Sequence, residues 1–112
     1  MNPRRAEVWL LDFGDHVGRE QSGRRPAVIV SSDLLNDSRA GIAVVVPITT
    51  TYRGLPSHIE IDPNNSGLDE ISYAKCEDVK SVSEQRLIAR LGAVDQQAIF
   101  QISRALRFLL DL

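Results

Sequence analysis

The chain holds one cysteine, Cys76, two histidines, one tryptophan and no long apolar run. A single thiol makes no internal disulfide, and with only His16 and His58 there is no CxxC, HExxH or comparable ligand spacing. Neither a cystine scaffold nor a structural zinc is expected, and no cofactor is implied. The longest apolar stretches, such as Ala43 to Pro47, are far too short to span a bilayer. No basic-then-apolar leader stands before Glu7, so the expectation is a cytoplasmic protein with no membrane partner. An excess of positive charge is also missing. The formal net charge is −2, which argues against a broad basic surface that would hold nucleic acid without selectivity. Any nucleic-acid contact has to be local.

What is present fits one domain over residues 1–112, since 112 residues have room for a single core. With 43% hydrophobic and 25% charged residues the composition is that of a globular fold. Eleven of the thirteen cations are arginine. Guanidinium suits planar, two-pronged contacts to phosphate or carboxylate, although a bias in genomic composition gives the same count. Residues 1–53 carry seven positive and six negative charges against six and nine in the remainder, so positive charge leans to the N-terminal half.

Along the chain, "EVWLLDF" from Glu7 to Phe13 reads as a strand with both faces partly buried. "AVIVSS" from Ala27 reads as a second strand and "GIAVVVPITTT" from Gly41 as a third, both rich in β-branched residues. Between them "SDLLNDSR" suits a short helical turn capped by Ser32 or Asp33. "SHIEID" alternates as a half-exposed strand stopped by "PNNSG"; then come "ISYAKCEDV", a strand pair around "KSVS", and "RLIARLGAV". After Asp95, a natural N-cap, Ala98, Ile99, Ile102, Ala105, Leu106, Leu109 and Leu110 recur at helical spacing. Five to seven short strands followed by one amphipathic helix describe an α+β, antiparallel, barrel-like fold.

Five segments in order, "RRAEVWLLDFG", "GREQSGRRPAVIVSS", "VVVPITTT", "LPSHIEI" and "GLDEISYAKCEDVKSVSEQRLIARLGAV", resemble the MazF/PemK family of toxin endoribonucleases over almost the whole chain. The resemblance implies an SH3-like barrel, a homodimer, metal-independent cleavage of single-stranded RNA at short motifs, and neutralisation by a cognate acidic antitoxin. It also implies a catalytic pair: an Arg just before the Pro of the second strand and a Thr after the "PI" of the third. Those positions are Arg25 and Thr49 here. Glu20 and Gln21 of the first loop, and Ser57 and His58 of "LPSH", correspond to segments that line the family's RNA groove. Arg19 and Arg24 complete a local phosphate cradle in this reading.

RNA cleavage without metal uses the 2′-OH against its own phosphate and leaves 2′,3′-cyclic phosphate and 5′-OH ends. The fork of Arg25 suits the charge on the non-bridging oxygens, and the Thr49 hydroxyl suits a phosphate oxygen. Glu20 either accepts from a base amino group or orients a neighbouring arginine. His58 is the near-neutral base of a matched motif, in a strand where an exposed histidine is ordinary. Cys76 reads as a small inward-facing core residue, and Trp9 as core or dimer contact. The apolar strand edges around Val44 to Ile48 suit dimerisation. Two other functions fit the same fold: a gyrase-inhibiting toxin, which has no use for Arg25 and Thr49, and a catalytically silent module that meets operator DNA only through its antitoxin complex. The loops at 15–23 and 52–57 are expected to set the RNA motif.

Overall fold

The computed structural model describes residues 2–14 and 23–112. Its strands form where β-branched and apolar residues cluster. In chain order they are β1 (Glu7–Asp12), β2 (Arg24–Ile29), β3 (Ile42–Thr49), β4 (His58–Ile61), β5 (Ser72–Lys75), β6 (Lys80–Ser83) and β7 (Leu87–Ala93). A one-turn helix α1 (Asp33–Asn36) is capped by Ser32, whose hydroxyl accepts from the Leu35 N–H at 3.3 Å. Short 3-10 turns at Cys76–Asp78 and Glu84–Arg86 flank β6, and α2 (Gln96–Leu110) ends the chain. All the strand pairings are antiparallel. The sheet order is β4-β5-β3-β2-β1-β7, with β6 also on β3.

β3 organises this sheet. On one edge it pairs with β2; on the other it pairs with β6 along Ile42–Val45 and with β5 at Ile48 and Thr49. Two strands sharing one edge bend the sheet into a barrel-like shape, and both faces of β1, β2 and β3 become buried. Val8, Val28, Val46 and Ile48 face a cluster with Ile61 and with Ile102 of α2. Trp9, Leu11, Ala27, Ile29 and Val45 face a second cluster with Val82. Burial on both faces explains why these strands read as apolar runs rather than clean alternation.

The termini are tied to the core by directed bonds. Asp95 caps α2 through the Ala98 N–H at 2.8 Å, and Arg5 reaches both the Val30 carbonyl and the Ser103 hydroxyl of α2. Glu7 accepts from the Arg4 N–H, the Trp9 indole N–H and the Arg90 guanidinium. Burial raises the Glu7 pKa, yet these bonds outweigh it and hold the carboxyl below its ordinary value. Trp9 is accordingly a core residue. Cys76 is buried too, and desolvation, with Glu77 beside it, pushes its thiol up to about 12. Among the described residues no helix is long and apolar enough to cross a membrane.

The α+β barrel-like expectation holds, with three local differences. β2 begins at Arg24 rather than Ala27, because Asp12 and Leu11 of β1 continue to pair with Arg24 and Arg25 beyond the proline. "KSVS" is itself a strand, anchored by buried Val82. Val44 to Ile48 form no free edge, because β3 is flanked by strands on both sides.

Candidate active site

Strand register brings Arg25 and Thr49 to the same end of β2 and β3. β2 and β3 pair Val28 with Val46 and Ala27 with Pro47. Arg25 lies two residues before Ala27 and Thr49 two residues after Pro47, where β2 goes on pairing with β1 and β3 with β5. On β5, Thr49 is paired with Tyr73, and Tyr73 is paired in turn with Glu60 of β4. Directly opposed residues of antiparallel strands project to the same face. Thr49, Tyr73 and Glu60 therefore form one row across β3, β5 and β4, and Arg25 shares a face with buried Leu11 of β1. Arg25 is exposed and Thr49 half-buried. The Thr49 Oγ1 accepts from the Thr51 N–H at 3.2 Å, a bond that does not use the hydroxyl proton.

Arg24 alternates with Arg25 and projects from the opposite face of β2, so the two guanidinium groups leave the strand in different directions. Arg19, Glu20 and Gln21 lie outside the described residues. The base of their loop is closed by Phe13 N–H on the Gly23 carbonyl and Gly23 N–H on the Gly14 carbonyl, each at 2.8 Å. Gly14 and Gly23 both have positive φ, 79° and 69°, which a side chain would disfavour. Arg86 donates to the Asp12 carbonyl at 3.1 Å and packs against Gly14.

Ser57 and His58 are engaged elsewhere. The Ser57 hydroxyl donates to Glu77 Oε1 at 2.8 Å, and His58 Nε2 lies 2.7 Å from Glu77 Oε2. The Cys76 N–H also bonds the Ser57 carbonyl at 3.0 Å, so the 3-10 turn grips the chain entering β4. Burial pushes the Glu77 pKa up, but the bonds from His58, its own backbone and Ser57 dominate and hold it below the ordinary carboxylate value. Where alternation made an exposed histidine ordinary, His58 is half-buried as a residue and its side chain, paired with Glu77, is only 2% exposed. Its Nδ1 is buried with no hydrogen-bond partner among the described residues. Glu77 carried no signal of this role in the sequence, where it stands among other charges.

A groove of about 550 Å³ runs beside the clamp. Leu55, Pro56 and Ile59 line one side, and Ala105, Phe108 and Leu109 of α2 the other. Phe108 is 86% exposed, and Phe100, Leu110 and Leu112 are exposed nearby in sequence.

Residues 4–110 match the family described as PemK-like, MazF-like toxin of type II toxin-antitoxin system. Endoribonuclease MazF9 of Mycobacterium tuberculosis is 32% identical over 97% of each chain. Endoribonuclease EndoA of Bacillus subtilis is 30% identical, over 97% of this chain and 95% of its own. The crystal structure of MazF from Deinococcus radiodurans superposes with a TM-score of 0.86 at 21% identity, covering 100% of this chain and 99% of that one, and so shares the fold. An endoribonuclease from a mycobacterial species, solved in complex with its cognate antitoxin, superposes with a TM-score of 0.82 at 27% identity over 98% and 96% of the two chains.

Proposed function

The chain belongs to the PemK-like, MazF-like family of toxins of type II toxin–antitoxin systems, and on that premise we propose that it is an endoribonuclease cutting single-stranded RNA at short motifs without a metal. The observation that supports this reading is that antiparallel β2 and β3, paired from Ala27–Pro47 onward, leave Arg25 and Thr49 at the same end of two central strands. A phosphate lying over that end meets a guanidinium fork and a hydroxyl donor at once. The 2′-OH attacks the adjacent phosphorus while the bond to the 5′ oxygen breaks, giving 2′,3′-cyclic phosphate and 5′-OH ends. Arg25 stabilises the charge that builds on the non-bridging oxygens, and Thr49 donates to one of them. His58 is not the base in this mechanism, because its Nε2 is held by Glu77 and its ring is buried. Ser57 and His58 serve the RNA groove by shaping it rather than by proton transfer. Arg19, Glu20 and Gln21 contribute phosphate and base contacts from the first loop, while Arg24, on the opposite face of β2 from Arg25, meets phosphates away from the scissile one.

The same reading makes the chain a cytoplasmic homodimer neutralised by an acidic antitoxin, with operator DNA bound only through that complex. A guanidinium grips carboxylate much as it grips phosphate, so an antitoxin segment and RNA compete for Arg25. The groove between β4 and α2, with exposed Phe108, supports a second copy as its occupant in place of the strand edges at 44–48. Incubating antitoxin-free protein with a long RNA in EDTA, beside Arg25→Ala and Thr49→Ala, tests the activity. Discrete cuts with 5′-OH ends, lost in both variants, are expected. No cutting, or cutting that survives both changes, returns the gyrase-binding and silent-module alternatives.

A further inference from the structure

Two tyrosines adjoin Thr49. Tyr73 of β5 is the strand partner of Thr49, and its ring meets that of Tyr52 edge-on, with centroids 5.6 Å apart and planes at 64°. Tyr52 lies three residues beyond Thr49 in the connection to β4 and is 72% exposed. It is nonetheless held on two sides. Tyr73 backs it, and Gly54 turns the chain onto it with φ 64°, so that a Cβ on Gly54 would sit 3.1 Å from the Tyr52 hydroxyl. An aromatic ring presented to solvent, fixed in place and next to a phosphate-binding site is the arrangement single-stranded nucleic acid uses for base stacking.

We propose that Tyr52, braced by Tyr73 and Gly54, is the stacking platform for a nucleobase flanking the scissile phosphate. The inference rests on the ribonuclease reading above. Stacking orients the nucleotide so that its phosphate lies over Arg25 and Thr49, and every base has a π-face, so Tyr52 supplies affinity and position with only a modest preference for purines. Sequence readout then falls to hydrogen-bonding groups of the flanking loops.

The test uses the full-length protein and a short RNA spanning a mapped cut site. A 2′-deoxy residue at the attacking position blocks cleavage, and 2-aminopurine replaces the base on either side of the cut in turn. Wild type and Tyr52→Phe are expected to quench one of the two probes, whereas Tyr52→Ala and Tyr52→Leu lose the quench and bind about 10- to 100-fold more weakly. Gly54→Ala shifts binding in the same direction by less, because the added methyl displaces the ring. Thermal midpoints of the Tyr52 variants should match wild type, since the side chain is mostly exposed. Unchanged binding and quenching in Tyr52→Ala, or equal losses in Tyr52→Phe and Tyr52→Ala, overturns the platform while the nuclease reading stands. Failure of the wild type to cut any RNA removes both.

Discussion

The end of β3 and the start of β4 lie two residues apart on the neighbouring strand β5, yet the segment entering β4 turns its polar side chains onto one carboxylate. Thr49 and Arg25 stand at strand ends, one half-buried and one exposed. Ser57 and His58 are both bonded to Glu77, and the His58 side chain is almost wholly buried. Both sets belong to segments that resemble one family's functional motifs. On the proposed mechanism, a motif alone does not separate groups that face a substrate, such as Arg25 and Thr49, from groups such as Ser57 and His58 whose hydrogen bonds hold local shape.

Arg25→Lys is the sharpest way to break that contrast. A lysine keeps the charge but not the fork, so cleavage should fall about 10²-fold with the urea midpoint unchanged. Loss of activity in step with loss of stability would mean that Arg25 is structural like the clamp. Glu77→Ala should do the reverse: it strips the acceptor from a buried imidazole and from Ser57, costing about 1–3 kcal/mol in urea unfolding with a smaller effect on the chemical step.

The clamp also has a pH signature. Because the native Glu77 pKa lies below its ordinary value of 4.5, its contribution is fully present above that value and is lost as pH falls through the native one. The stability difference between wild type and Glu77→Gln should shrink once pH drops below 4.5; a difference that grows below that pH contradicts the assignment. Ser57→Ala gives the smallest effect, about 0.5–1.5 kcal/mol, because one exposed hydrogen bond to a shared carboxylate is lost while His58 keeps its partner.

Strands and the terminal helix were legible because β-branched runs and helical spacing are local signals. Arg25 and Thr49 were singled out by the resemblance, whereas their placement at the same end of β2 and β3 is a product of folding. Arg24 and Arg25 read as loop residues because Pro26 removes a ladder donor, and only pairing with β1 shows the strand running past it. Burial of the His58 side chain could not be read from alternation, since its partner Glu77 is nineteen residues away. The Tyr52–Tyr73 contact was hidden for the same reason: both aromatic positions are visible in the sequence, but what brings them together is the pairing of β3 with β5.

The most direct test is single-turnover RNA cleavage by Arg25→Ala and Glu77→Gln, each measured beside its own unfolding curve. The account predicts a rate reduced about 10²–10³-fold at wild-type stability for Arg25→Ala, and lowered stability with a rate within about tenfold of wild type for Glu77→Gln. Wild-type cleavage by Arg25→Ala, or a larger rate loss in Glu77→Gln than in Arg25→Ala, would contradict it.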